Sequence, residues 1–287
     1  MTAIAPRIAS QVAPRPPGTV QAPLLRLLRS EMRWVLRRPR TQIALGLLAL
    51  LPVLIGIGIV VAESPNGDGL LTQVAGNGLV LPVVSLSMAL ALLLPLAVTM
   101  AAADALAGES AHGTLRGLLL APVSRARLVL IKSVGVLAVA VAAVTSVTVM
   151  GIGTGLVLVG GTDLLTLSGT EVGLGSGLLR VALAAAWTVG QLAAVAAVAL
   201  AVSSATDHPL VVLAATLGGL IVFGVISAIP SLDWLHPALL TTGWASIADV
   251  LRDPVPLDNL LDGSYRAACY ILLGLGLTLA RSATREA

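Results

Sequence analysis

The sequence predicts an all-α membrane protein. It should have six transmembrane helices, an N-terminal amphipathic interfacial helix, a short cytoplasmic helix between spans two and three, and short outer-face helices between spans five and six. Three observations lead there. Hydrophobic residues make up 57% of the 287-residue chain and charged residues only 11%, against about 25% charged in soluble domains. The apolar residues form continuous runs, not the alternating segments of about ten residues that build a membrane barrel. All of the 17 Lys and Arg residues except Arg180, Arg252 and Arg266 fall on what then becomes one side of the membrane.

Residues 1–20 are rich in Pro and Ala without periodicity, which predicts a disordered cytoplasmic tail. No apolar core lies near the start, so this is not read as a secretory signal. Residues 21–40 follow, containing "QAPLLRLLRSEMRWVLRR". Arg26, Arg29, Arg33 and Arg37 step by three and four and share one helical face, while Leu25, Leu28, Met32 and Leu36 share the other. Such a helix lies in the interface, with Arg toward lipid phosphates and Leu toward acyl chains. Trp34 suits that depth. The same stretch also reads as a basic juxtamembrane segment that fixes orientation, and the two roles are compatible.

Residues 41–287 read as one six-span unit. A hydrocarbon core about 30 Å thick needs about 20 apolar residues per helix. The expected spans are Thr41–Ala62, Leu79–Ala103, Leu128–Val159, Leu178–Val202, Leu210–Ile229 and Tyr265–Ala280. The third is longer than a crossing requires, so it tilts, projects at its Lys132 end, or breaks near "GIGTG", Gly151 to Gly155. The distribution of Lys and Arg puts both termini and the loop after span two in the cytoplasm. On the other side, Glu63–Gly78 and Gly161–Gly177 look like ordinary Gly-rich connections. Pro230–Ser264 is longer and holds Trp234, Trp244 and His236. It reads either as short helices at the outer interface or as a surface loop with Trp anchors. A GxxxG at Gly151 and Gly155 reads either as a close helix contact or as the ordinary abundance of Gly in membrane helices, and another GxxxG stands at Gly173 and Gly177.

Several chemistries are not indicated. No ionisable residue falls near the middle of a span, where proton- or ion-coupled carriers place them. A P-loop needs GxxxxGK followed by Ser or Thr; the only Lys is Lys132, and Ile131 stands where that loop needs Gly. His112, His208 and His236 are far apart and form no HExxH. Cys269 is the only cysteine, so neither an intrachain disulfide nor a Cys-based zinc site can form. There is no GxSxG. No catalytic residue and no metal ligand is therefore assigned. Nucleic acid is not an expected partner either, because the basic residues sit beside apolar spans and aromatics make up only 2% of the chain.

One segment breaks the apolar pattern: "GESAHGTLRGLLLAPVSRARLVLIK", Gly108 to Lys132. Leu115, Leu118 and Leu119 lie at i, i+3 and i+4 and make a small apolar stripe. Thr114 can cap its N-terminus. Pro122 ends the turn, and Ser124 can cap the next helix. Gly113 and Gly117 allow close backbone approach. Glu109, Arg116, Arg125 and Arg127 rim the stripe. Such a stripe either docks into a groove of a partner or lies on lipid or on the protein's own helices.

The pattern Glu109, Gly113-Thr114-Leu115, Leu118-Leu119, Pro122-Val123-Ser124-Arg125, before a basic start to span three, resembles the loop between spans two and three of ABC-2 type transporter permeases. The likeness extends over nearly the whole chain after the tail: six spans, cytoplasmic ends, an interfacial helix, and outer-face helices between spans five and six. It implies that this loop is a coupling helix seated in a separate ATP-hydrolysing subunit, with Glu109, His112, Gly113, Thr114, Leu115, Arg116, Leu118, Leu119, Pro122, Ser124 and Arg125 as the docking residues. The closest sub-type looks like the bacterial efflux and drug-resistance permeases. Importer permeases instead carry Glu-Ala-Ala in their cytoplasmic loop, and here Ser110 follows Glu109. The resemblance further implies a multi-pass protein of the bacterial cytoplasmic membrane, a second permease chain (like or unlike), lipid contacts, and no cofactor in this chain, ATP and magnesium being bound by the partner. Two alternatives stand beside it: a non-transporting anchor or assembly factor for a cytoplasmic partner, and a lipid enzyme using the acids of Asp249–Asp262.

Overall fold

The computed structural model of the protein describes residues 24–61, 77–108, 125–161 and 163–284. The tail expected over residues 1–20 lies outside them. Helix α1, Leu24–Arg37, is followed after one residue by α2, Pro39–Val61. Pro39 opens α2 at a position where its missing N–H is not needed. Span two begins with a 3-10 turn, Gly78–Val80, runs through α3, Leu81–Ala91, and α4, Leu93–Ala103, and ends in a π-turn, Asp104–Gly108. Helix α5, Arg125–Thr154, passes into a second π-turn, Gly155–Val159. Strands β1, Leu164–Leu165, and β2, Glu171–Val172, form a small antiparallel hairpin. Then come α6, Leu174–Ala205, and α7, Pro209–Ser227, two 3-10 helices, Pro230–Ala238 and Leu240–Leu251, and finally α8, Leu257–Thr284.

The protein is an all-α multi-pass membrane protein. Helices α2, α5, α6, α7 and α8 are each long and apolar enough to cross a membrane, and the α3–α4 pair adds a sixth crossing if its two halves are one bent span. Four of the expected boundaries change. Span two, expected unbroken over Leu79–Ala103, bends by 53° between its halves. Pro95 explains the break: in a continuous helix its ring would collide with the carbonyl of Ala91. The backbone leaves helical geometry at Leu92, with φ −152°. Span three changes from α- to π-geometry at the GIGTG glycines, α-helical to Thr154 and π-turned from Gly155, but runs on as one helix over Ala126–Val159. The last helix starts at Leu257, not Tyr265. Its first two turns hold Asp258, Asn259, Asp262 and Ser264, which hid them from a reading based on apolarity. The Gly161–Gly177 connection is not featureless but carries the hairpin, turned at Gly169 with φ +80°.

The core is filled mainly by Leu, Val and Ala, and at several points small residues let backbones meet, as packing in membranes favours where lipid is as apolar as leucine. Helix α6 sits at its centre. Gly274 on α8 faces the Ala197 backbone so closely that a Cβ there would lie 2.6 Å from the Ala197 carbonyl carbon. The GxxxG of α5 meets the start of span two: a Cβ on Gly151 would lie 2.7 Å from Pro82 Cα, and Gly155 abuts the Gly78 backbone. The Gly78 N–H donates to the Gly160 carbonyl at 2.9 Å, locking that corner. Of the second GxxxG, only Gly177 is close, against Leu79.

Pro230–Ser264 resolves into short helices. Trp234 is exposed but Trp244 is buried in the core beside Leu240, Ile247 and Val250. Trp244 is therefore a core residue of its 3-10 helix and not an exposed anchor.

Candidate coupling site

Glu109, His112, Gly113, Thr114, Leu115, Arg116, Leu118, Leu119, Pro122 and Ser124 lie outside the described residues. Arg125 is the first residue of α5. What is described is how both ends of their loop are held.

Helix α1 lies against α5 through Glu31 and Val35. Gly135 makes this possible, since a Cβ there would stand 3.1 Å from Glu31 Cγ and 3.6 Å from Val35 Cγ2. One turn earlier on the same face of α5, Lys132 Nζ donates to Glu31 Oε1 at 2.9 Å. Lys132 is only 4% exposed and Glu31 16%, so the pair is largely withdrawn from water. Lys132 Nζ also lies 5.6 Å from the Trp34 ring centroid.

The C-terminal end of α1 holds span two. Arg38, the residue between α1 and α2, pairs with Asp104 at 3.2 Å. Its guanidinium stacks over Trp34, 3.6 Å from the ring centroid. Asp104 begins the π-turn that leads to the loop. Three residues on, the Ala107 N–H donates to Ser203 Oγ at 3.0 Å. The Ser203 hydroxyl in turn donates to the Ala103 carbonyl at 3.5 Å. The last turn before the loop is thus tied to α1 by charge and to α6 by hydrogen bonds, and the first turns after it are tied to α1 by a buried ion pair.

Arg26, Arg29, Arg33 and Arg37 are all exposed on α1, and Trp34 is exposed beneath its Arg38 cap. Met32 and Leu36 are half-buried, while Leu25 remains exposed. The residues that do the bracing, Glu31, Arg38, Asp104, Lys132 and Ser203, were not among the predicted site residues. A signal existed for one of them. Glu31 is the only acid in the first 40 residues, and it stands off the Arg face.

A second polar cluster lies at the opposite end of the helices. Arg180 donates to Asp253 Oδ1 at 2.8 Å and to the carbonyls of Val250 and Arg252. Thr170, in the hairpin, donates to Asp253 Oδ2 at 3.0 Å, and the Asp253 N–H donates to Ser168 Oγ at 3.0 Å. The hydrogen bonds from Arg180 and then Thr170 hold the Asp253 carboxyl below the usual carboxylate range. Asp249 accepts from Asn259 at 3.0 Å and pairs with Arg252 at 3.4 Å. Asp249 and Asp253, two acids of the segment considered for catalysis, thus serve as ties between the hairpin, the second 3-10 helix and α8.

A family model described as ABC-2 family transporter protein matches residues 25–249. The chain belongs to the ABC-2 transporter family. The match begins at the second residue of α1 and ends within the second 3-10 helix, so it takes in both anchors of the loop and leaves α8 beyond it. No curated protein matches the chain. As an ABC-2 permease the chain is a transmembrane subunit of an ABC-type transporter, and the family implies an ABC ATPase as partner.

Proposed function

We propose that this permease is the membrane subunit of an ATP-driven exporter, with the loop between α4 and α5 docked in a separate nucleotide-hydrolysing subunit. The observation that carries this is the double anchoring of the loop. A segment that receives force must not swivel on its supports. Here Asp104–Arg38 and Ala107–Ser203 hold one support, and Lys132–Glu31 holds the other. Leu115, Leu118 and Leu119 touch the ATPase, and Glu109, Arg116 and Arg125 form the charged rim. ATP and magnesium bind to the partner. Both termini and α1 are cytoplasmic, with α1 in the inner interface of a bacterial plasma membrane.

Two permease chains, like or unlike, assemble with two ATPase chains, and the route opens outward between them. Its walls are mostly apolar, which suits a hydrophobic or amphipathic substrate. The test is Leu119→Asp in the complex isolated from native membranes. Loss of ATPase co-purification and of outward transport, with the permease still folded, is the expected result. Retention of both would remove the docking role. Normal ATPase binding without any substrate-stimulated hydrolysis would favour a passive anchor instead.

A further inference from the structure

Beyond its loop, the protein carries a groove on the outside of α5. It is a shallow groove of about 860 Å³, open along its outer side, and is lined by Met32 and Leu36 of α1, Ala49 of α2, and one face of α5 from Val134 to Met150. Small side chains create it: Ala49, Ala138 and Ala142 leave the depth that larger residues would fill. No charged residue lines it. The α5 face from Val134 to Met150 is about 24 Å long at 1.5 Å per residue, enough to take an acyl chain across the roughly 15 Å depth of one leaflet of a 30 Å core.

The charge sits at one end only. At 100° per residue, Met32 and Leu36 point along the groove, and Arg29 and Arg33 follow on its rim, turned roughly 40° and 80° away. Both arginines are exposed. Glu31, the carboxylate that could neutralise them, is turned the other way and bound by Lys132. A slot for an aliphatic chain therefore ends beside two cations without a nearby counter-charge on the same helix.

From this juxtaposition we infer that the groove between α1, α2 and α5 holds one anionic phospholipid, its tail along Val134–Thr145 and its phosphate on Arg29 and Arg33. The lipid fills the face of α5 beside α1 and fastens α1 from the side opposite the Glu31–Lys132 pair. The inference uses neither the ATPase nor export, so either can fail without the other.

The experiment is native mass spectrometry of the protein released from nanodiscs of equimolar phosphatidylglycerol and phosphatidylcholine. Two arginines near a headgroup give about a thirtyfold preference for the anionic lipid. Arg29→Gln with Arg33→Gln should bring the ratio near parity. Arg26→Gln with Arg37→Gln, further round the helix, should change it little. Ala142→Leu, which narrows the groove without changing charge, should lower retention of both lipids. Equal retention of the two lipids by the unaltered protein would overturn the inference, as would an equal fall in both arginine pairs. So would a disulfide-linked dimer formed by Ala138→Cys in a Cys269→Ala background, because a second copy would then occupy the groove.

Discussion

The Glu31–Lys132 pair makes the sharpest test of how α1 is held. Glu31→Leu takes the carboxylate from an ammonium that is 4% exposed, whereas Lys132→Met takes the ammonium from a carboxylate that is 16% exposed and nearer to water. Breaking one partner of a buried pair costs about 3–5 kcal/mol. The Trp34 ring, 5.6 Å from the ammonium, is present with or without Glu31 and leaves this cost at the lower end of the range at best. Glu31→Leu should then weaken the hold of α1 by about 3 kcal/mol, and Lys132→Met by less. Replacing both with apolar residues removes the remaining charge and should recover most of the loss, since such swaps are often neutral or better.

Amide hydrogen exchange reads this directly, because α1 can open locally while the rest stays folded. At 1.4 kcal/mol per tenfold, α1 amides around Glu31 to Val35 should exchange about a hundredfold faster in Glu31→Leu. The increase should be smaller in Lys132→Met and near zero in the double variant. Amides of α6 and α8, which do not touch the pair, should not change. A double variant as fast as Glu31→Leu would refute the reasoning, because burial of the remaining charge would then not be the source of the effect.

Gly151→Ala should lower the thermal midpoint in detergent, since its Cβ would meet the Pro82 backbone at 2.7 Å and forced overpacking costs about 1–3 kcal/mol. Gly153→Ala, with nothing within 4 Å, should be neutral or raise the midpoint through better helix propensity; equal shifts would contradict the close contact. Gly135→Ala should loosen α1 in the exchange experiment, because the added methyl meets Glu31 Cγ at 3.1 Å. The Arg180–Asp253 clamp has a signed pH dependence. A carboxyl held below its ordinary 3.8 stabilises the folded clamp above that value and loses the contribution as pH falls through the lowered one. Exchange of the hairpin amides, corrected for intrinsic rate, should therefore stay constant from about pH 7 to about pH 5 and rise only below about 3.8; Asp253→Asn should remove that step.

The sequence carried the apolar helices well because long apolar runs are local signals. The alternation of Arg and Leu over Arg26–Arg37 told which face of α1 is exposed, and of the two readings of the Gly151/Gly155 spacing the close contact with another helix is the one found. The failures share a cause, which is that the deciding partner is remote or polar. Nothing near Lys132 signals Glu31, about a hundred residues earlier. The first turns of α8 were hidden by their own Asp and Asn residues, although Asn259 uses its polarity to bind Asp249. Trp244 read as an interface residue because Trp often is, yet in this chain it fills the core. Pro95 is the exception to that cause, a local signal set within a largely apolar run. The loop motif, the most informative stretch of the sequence, falls outside the described residues, so its role rests on the anchors at its two ends.

Those anchors also say what would have to move if the loop takes up force. Arg38–Asp104, Glu31–Lys132 and Gly135 join α1, α4 and the first half of α5 into one body. That body meets the rest of span two at Leu92, where the helix is interrupted and bent by 53°. The break has an identifiable cause in Pro95, where the i→i−4 ladder is open. The halves are otherwise unlike: α3 is locked to α5 through Pro82 and Gly151, and its leading turn through Gly78 and Gly155. A load applied at the loop would reach α4 first and pass from it to α5, α6 and α7, which all pack against it. Pro95 then has a mechanical consequence as well as a structural one. It places the single interruption of span two between a half fixed by glycine contacts and a half that carries the loop.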